Sequence, residues 1–447
     1  MSTATTASVP AAVRRKAVLA AAIGNFIEWF EFTLYGFFAA AIAANFFAVG
    51  EAGPSLFATF AAFGVSFVLR PLGALIFGHF GDRMGRRTTL SVAILGMSGA
   101  TFVIGVLPTY ASIGLAAPLL LVVARVVQGF SAGGEFGGAT AYMVEYAPAH
   151  RRAFYASWQF FTQFFAGFVA AVVGAALSTA LSAEDLNAWG WRLPFLLTLP
   201  LGFIGLYLRL RLDETPEFKE VSEDRSTDKA PLLTTVKRHW PSILKVMGLL
   251  ITGTTSVYMI EAFLPAFLVE KIGMPSSTMF ASMLVGIGLK IVLIPLWALA
   301  SDRLGRRKPF LIASPLLLAI TAVPIYVLLL QATFLSTMTA YIILAVVLSP
   351  MSGTLAIAVA DAFPTRVRYS GLSIAYSTSV SIFGGFSPLI LTTVVTATGN
   401  NLAAAYYLTA TAVVSLIAAL WFSETGPRAG GAEGERSSLV RHGEPAA

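Results

Sequence analysis

The chain has no cysteine, four histidines and few charges: Asp, Glu, Lys and Arg make up 12% of its 447 residues. Without cysteine there is no disulfide, no thiol nucleophile and no iron–sulfur ligation. Four scattered histidines give no metal-ligand spacing, and neither a metal nor any other cofactor is expected. Soluble domains carry about 25% charged residues, roughly twice the fraction here. A soluble enzyme and a disordered chain are therefore both excluded. No G-x-x-x-x-G-K-[ST] stretch occurs, which disfavours an ATP-driven machine, and no nucleophile–base set suggests an enzyme. What is abundant is apolar: 56% hydrophobic residues, 34 phenylalanines and a mean hydropathy of +0.76.

Twelve apolar runs are long enough to cross a bilayer, which takes about 20 residues each. They cover 17–44, 55–80, 88–107, 114–144, 153–179, 191–211, 243–270, 277–300, 309–331, 338–361, 370–398 and 402–422. The first is longer than a signal-peptide core and is not followed by a cleavage site, so it reads as a retained span. Of the 30 basic residues, 25 fall at the N-terminus, in alternate connections or in the C-terminal tail. Arg14, Arg15 and Lys16 stand before the first span, and Arg83, Arg86 and Arg87 after the second. Arg151 and Arg152 follow the fourth; Arg303, Arg306, Arg307 and Lys308 follow the eighth. The bias toward one side predicts that both termini are cytoplasmic. The net charge of +7 is thus a topology signal and does not indicate nucleic-acid binding.

These runs predict an all-α integral membrane protein with a cytoplasmic tail (1–16), a six-helix bundle (17–211), a polar cytoplasmic linker (212–242), a second six-helix bundle (243–424) and a disordered cytoplasmic tail (425–447). The two bundles repeat one another. Gly81-Asp82-Arg83-Met84-Gly85-Arg86-Arg87 returns as Ser301-Asp302-Arg303-Leu304-Gly305-Arg306-Arg307. Glu145-x-x-Pro148-x-x-x-Arg152 returns as Asp361-x-x-Pro364-x-x-x-Arg368, and Asp213-Glu214-Thr215 is echoed by Ser423-Glu424-Thr425. Duplicated bundles place a substrate site between them, near the midplane.

The D-R-x-G-R-R loops and Arg125-Val126-Val127-Gln128-Gly129 resemble motifs of the major facilitator superfamily, over nearly the whole chain. The stretches 24–32 (GNFIEWFEF), 128–135 (QGFSAGGE) and 189–195 (WGWRLPF) narrow the resemblance to its metabolite:proton symporters, carriers of citrate, α-ketoglutarate, shikimate and proline or betaine. Within that family 154–159 (FYASWQ) and 382–388 (IFGGFSP) are most similar to citrate/tricarballylate proton symporters. The chain departs from many members in having Glu31 where they have Asp, and it lacks the coiled-coil tail of osmosensing betaine carriers. The resemblance implies the major facilitator fold, a monomer in a bacterial inner membrane, and proton-coupled import of an organic polycarboxylate by alternating access. A dicarboxylate or keto acid, a shikimate-like acid, or betaine/proline is the alternative cargo. A polytopic membrane enzyme or nutrient sensor is the remote one.

Charges inside the bilayer are costly, about 2.5–3.5 kcal/mol each even on a lenient scale, and call for a reason. Arg192 and Lys271 lie near outer span ends and can snorkel. Arg70, Arg125 and Lys290 are deep, as are Glu28, Glu31, Glu135 and Glu261. Arg125, ~16 Å below the outer surface at 1.5 Å per residue, suits two-pronged binding of a substrate carboxylate, or else an ion pair with Glu28, Glu31 or Glu135. Lys290 and Arg70 stand at repeat-related positions, 12 residues before Asp302 and Asp82 respectively. Lys290 is the second candidate for the substrate. Arg70, followed by Pro71, is read as a substrate cation or as a partner for carbonyls that the proline frees.

Glu28 and Glu31 share one helix face. They, Glu135 and Glu261 are the candidate proton sites, because low dielectric favours a neutral carboxyl; the other reading makes them counter-ions. Tyr35, Asn25, Gln159, Tyr258 and Tyr376 are candidate polar substrate ligands or interhelical bonds. Glu261 and Lys290, ~14 and ~20 Å deep on consecutive helices, are expected to pair. Gly129, Gly133 and Gly137, with Gly134 and Gly138, have the spacing of close helix packing. By resemblance, Asp82, Arg83, Arg86, Glu145, Arg152, Asp302, Arg303, Arg306, Asp361 and Arg368 form a cytoplasmic charge gate.

Overall fold

In a computed structural model, residues 11–47, 52–84, 86–210, 231–363 and 365–427 are described. The expected tails and linker fall largely outside them. Twelve helices are long and apolar enough to cross a membrane: α1 Arg14–Phe37, α2 Leu56–Phe77, α3 Thr89–Val106, α4 Ala116–Glu145, α5 Ala149–Ala180, α6 Ala183–Leu210, α7 His239–Lys271, α8 Ser276–Leu304, α9 Lys308–Leu329, α10 Phe334–Asp361, α11 Gly371–Thr398 and α12 Ala403–Trp421. All twelve coincide with the apolar runs read from the sequence. Several boundaries differ by up to eight residues, as at the start of α6, and two show irregular helix. The run 17–44 breaks at Phe38, and a short helix, Ala39–Phe46, follows. Helix also begins at Pro231, inside the expected linker, and kinks at His239 before α7 proceeds.

The pairing of helices repeats with a shift of six. In the first half α1 packs on α5 and α6, α2 on α4, and α3 on α4 and α6. In the second, α7 packs on α11 and α12, α8 on α10, and α9 on α10 and α12. The contacts between halves obey the same shift: α5 meets α8 and α10, as α11 meets α2 and α4. Two pseudo-symmetric six-helix bundles therefore face each other. Large apolar side chains such as Leu119, Val123, Phe203, Val292, Ile320 and Trp421 are exposed. On a soluble protein such a surface would be a liability; acyl chains cover it without cost.

Small residues set the closest approaches. A Cβ on Gly129 or Gly133 would run into the α2 backbone at Ser66 and at Arg70–Ala74, and one on Gly73 into Phe130 of α4. This is the packing role expected for that glycine spacing. Local breaks sit near the midplane: a 3-10 turn at Ala132–Gly134, and π-turns at Met259–Phe263 and Val380–Gly385. Pro71 has no N–H to offer the carbonyl of Phe67, four residues back. The hydroxyl of Ser381, on the opposite half, donates to that oxygen at 2.6 Å. Arg70 is thus not the group that satisfies it.

Candidate functional site

The deep charges are all buried and fall into distinct environments. Arg70 on α2 forms an ion pair with Glu28 on α1, and both side chains are 1% exposed. The Arg70 guanidinium also lies over Phe32, Phe67 and Tyr376 at 5.5, 5.8 and 5.4 Å from the ring centroids. Glu135 on α4 pairs with Arg209 on α6. Gly24 makes room for this pair, since a Cβ there would collide with Arg209 and Glu135. Arg209, one of the 25 basic residues counted outside the deep set, is buried at 4% exposure. Glu28 and Glu135 thus have the counter-ions that the alternative reading of the deep acids assigns them, Glu135 with a partner the sequence reading did not foresee.

Arg125 is different. Among the described residues no carboxylate lies within ion-pair reach of it. Its guanidinium donates to Gln128 and, at 2.9 Å, to Ser66 Oγ. It is held between the rings of Tyr35, Phe63 and Phe32, at 4.3, 4.7 and 5.4 Å from their centroids, and its Nε has no partner. Gln128 Nε2 donates to Thr101 Oγ1 at 2.7 Å, and Thr101 Oγ1 lies 3.0 Å from Glu31 Oε2. Ser98 donates to the other Glu31 oxygen. Glu31 is therefore held by hydroxyls alone and joined to Arg125 by a three-bond relay. Sequence reading noticed Gln128 only as part of a motif. Its position three residues after Arg125, on one helix face, was the available signal.

Lys290 and Glu261 do not form the expected ion pair. Glu261 Oε2 accepts from Thr33 Oγ1 on α1 at 2.9 Å, and its Oε1 is buried without a partner, against Gly167 of α5. The Lys290 ammonium lies 3.6 Å from the Phe164 ring centroid, also on α5. Glu261 lies within the π-turn Met259–Phe263, and its carboxylate faces α1 and α5.

The candidate polar ligands are mostly engaged. Asn25 Nδ2 donates to the Gln159 carbonyl and to Thr162 Oγ1 at 2.7 and 2.8 Å, and Gln159 Nε2 donates to Asn25 Oδ1 at 2.6 Å. These bonds tie α1 to α5. The Tyr35 hydroxyl donates to the Thr59 carbonyl at 3.1 Å, so its ring supports Arg125. Tyr376 stacks on Phe136 across the halves at 3.4 Å between centroids. The buried Tyr258 hydroxyl has no partner.

Polar contacts join the halves at the end where α8 stops and α5 begins. Asp302, at the end of α8, accepts from the Ala153 and Phe154 N–H groups at 2.9 Å each, capping the first turn of α5 in the other half. Asp361 of α10 pairs with Arg152 of α5 at 3.1 Å and with Arg307. Gly305, with φ of 63°, ends α8 in the left-handed conformation and turns the loop. Arg307 is consequently buried, whereas Arg303 and Arg306 are exposed. The lock thus uses Arg307 and not the two arginines assigned to it by resemblance. Glu424 accepts from the N–H groups of Arg307 and Lys308. Glu145 is not free. The side chains of Asp82, Arg83, Arg86 and Arg368 lie outside the described residues.

Two repeated six-helix bundles of like orientation, buried charges between them and polar contacts joining them at one end suit a secondary transporter and not an enzyme. The chain matches the sugar (and other) transporter family over residues 17–230 and 219–426, and it belongs to that family. It is 39% identical to the glycine betaine/proline/ectoine/pipecolic acid transporter OusA of Dickeya dadantii, over 92% of this chain and 83% of the relative. It is 36% identical to the proline/betaine transporter of Escherichia coli K12, over 93% and 84%. A putative proline/betaine transporter of Staphylococcus aureus is 36% identical, over 92% and 88%. Among solved structures, the proton:xylose symporter XylE bound to 6-bromo-6-deoxy-D-glucose aligns with a TM-score of 0.75 at 16% identity, over 94% of this chain and 98% of that one. These relatives correct the expected cargo: they are named for betaine and proline, not for citrate or tricarballylate.

Proposed function

We propose that the chain imports a zwitterionic solute of the proline and betaine kind together with protons, by alternating access. The observation that carries this reading is Arg125, a buried guanidinium with no carboxylate partner among the described residues, relayed through Gln128 and Thr101 to Glu31. A substrate carboxylate takes the unpaired face of Arg125. Glu31 carries the proton. When Glu31 is charged, its field reaches Arg125 through the relay and competes with the substrate; when it is protonated, Arg125 is free to bind. Substrate and proton therefore bind together, and the cytoplasmic lock of Asp302, Asp361 and Arg152 opens to release them. The paired Glu28 and Glu135 hold their helices, and Glu261 and Lys290 provide the second half's share of the polar site. The polypeptide acts as a monomer in a bacterial inner membrane with both termini in the cytoplasm, and residues 212–242 link the bundles.

Proteoliposomes test this directly. Uptake of betaine or proline should rise with an inward proton gradient and collapse with a protonophore. The sign follows from Glu31: substrate binding tightens as pH falls and weakens as pH rises through the titration of that carboxyl. Glu31→Gln should bind substrate without pH dependence and exchange it, but not accumulate it. Uptake that follows a sodium gradient and ignores pH would overturn the coupling, and citrate displacing betaine would overturn the cargo.

A further inference from the structure

At mid-depth between the halves, four aromatic rings meet. Tyr258 of α7 lies 5.9 Å from Trp29 of α1, 5.7 Å from Phe63 and 5.2 Å from Phe67 of α2, between centroids. Phe63 and Phe67 are themselves 5.2 Å apart. From this arrangement we infer that Trp29, Phe63, Phe67 and Tyr258 form the receptacle for the positively charged nitrogen of the substrate whose carboxylate Arg125 takes. The inference rests on the zwitterion reading above and assigns the other end of that zwitterion.

Three observations separate this cluster from ordinary core packing. First, buried Trp and Tyr normally find partners for their polar atoms; Trp29 Nε1 and the Tyr258 hydroxyl have none, as is true of Trp191, Tyr326 and Tyr341 elsewhere, but here the two rings lie together, 5.9 Å between centroids. A site needing only bulk would be met by phenylalanine. Second, the cluster adjoins the carboxylate-binding group: Phe63 is shared, with the Arg125 guanidinium 4.7 Å from its ring centroid. A small zwitterion can therefore reach both at once. Third, the cluster is set at irregular backbone. Tyr258 immediately precedes the π-turn Met259–Phe263, and a Cβ on Gly384 or Gly385 of the π-turn Val380–Gly385 would collide with Tyr258 or Phe67. Such turns concentrate at functional sites, and here they bring glycine backbone against the rings.

The physics suits a quaternary or secondary ammonium. The negative ring faces attract a cation, most strongly for Trp, and methylated ammonium is shed from water at little cost. Nor is the field forbidding. Two guanidinium groups flank the rings, Arg70 at 5.8 Å from the Phe67 centroid and Arg125 at 4.7 Å from the Phe63 centroid, and the substrate's own carboxylate meets Arg125. Arg70 is already neutralised by Glu28. A carboxylate alone, with an uncharged tail of equal size, would gain the packing but not the attraction.

The test compares glycine betaine with 3,3-dimethylbutanoate, which keeps its shape and carboxylate and replaces trimethylammonium by tert-butyl. Competition against betaine uptake gives the preference for charge. Trp29→Leu and Tyr258→Leu should each lower that preference about tenfold, the range expected for a desolvated cation over a ring. Trp29→Phe should lower it by a smaller factor, about threefold, because a ring remains. Thermal unfolding in detergent shows which variants are folded. Should the leucine variants unfold, Trp29→Phe decides, and an unchanged preference there overturns the receptacle. Leucine variants that fold and keep the preference also overturn it, while leaving the zwitterion reading intact. A wild-type protein that takes up neither betaine nor proline defeats the zwitterion reading itself.

Discussion

Arg70 and Lys290 occupy equivalent places in the two halves, each 12 residues before the aspartate of its repeated loop. Their surroundings differ. Arg70 pairs with Glu28 and is flanked by three rings; Lys290 has no acid in ion-pair reach among the described residues and lies on Phe164. Duplication conserves where a cation stands on its helix, but the partner comes from another helix that diverges freely. In the first half an acid on α1 meets it. In the second, Glu261, within the π-turn after Tyr258, meets Thr33 instead. A compensated cation is structural material, and an uncompensated one is held at a cost that function can justify.

The comparison breaks if Arg70 and Lys290 respond alike to removal. Glu28→Gln or Arg70→Met should each destabilise the protein by about 3–5 kcal/mol, since the survivor is left as a lone buried charge. The double variant should recover much of that. Lys290→Met should cost under ~1 kcal/mol or even stabilise, because it removes a buried charge rather than a partner. Thermal unfolding of the purified protein reads all four. Equal losses for Arg70→Met and Lys290→Met would mean that Lys290 too has a structural counter-ion.

Binding sharpens the contrast between a paired and an unpaired arginine. Arg125→Lys loses the planar fork, so substrate affinity should fall by about 2 kcal/mol, roughly thirtyfold, with little change in stability. Calorimetry with betaine or proline measures it. Unaltered affinity would remove Arg125 from the substrate site.

Much of this was legible in sequence, and the limits have physical causes. Hydropathy gave all twelve helices, because a bilayer demands long apolar runs. The internal repeat gave the depth of Arg70 and Lys290. Partners were harder: Glu28 and Arg70 are 42 residues apart, and Glu135 and Arg209 are 74 apart, so only packing joins them. Arg209 was misplaced because it stands at the end of an apolar run, where a cytoplasmic and a buried position look alike. The choice of Arg307 over Arg306 depends on the left-handed turn at Gly305, which sets which of two adjacent arginines points inward. The relatives favour the alternative cargo over the one suggested by 154–159 and 382–388, short motifs that also serve helix packing. Phe383 and Ser387, for instance, spend their polar atoms on helix contacts: the Phe383 carbonyl accepts from Thr255 at 3.0 Å and from Ser387.

The smallest expected effect concerns the polar contacts between α5 and the ends of α8 and α10, which are partly exposed. Arg152 is 32% exposed and its pair with Asp361 spans 3.1 Å. Solvent screening limits such a pair to about 0.5 kcal/mol, so Arg152→Ala should barely change unfolding. Asp302 does more: it holds two N–H groups at the positive end of α5, a contact worth about 1 kcal/mol. Under the proposed alternating access these energies matter because the contacts exist only while the halves meet at this end. A loss of about 1 kcal/mol from one state shifts a two-state balance about fivefold without touching the fold. The cysteine-free sequence gives a clean reporter, since a single cysteine introduced near Phe154 is the sole thiol. Its alkylation should quicken about fivefold in Asp302→Ala and about twofold in Arg152→Ala, with unfolding temperatures close to the parent. Equal rates in all three would mean that the halves are held shut by the midplane contacts between α2 and α11, where Ser381 grips the Phe67 carbonyl, and not by the polar lock.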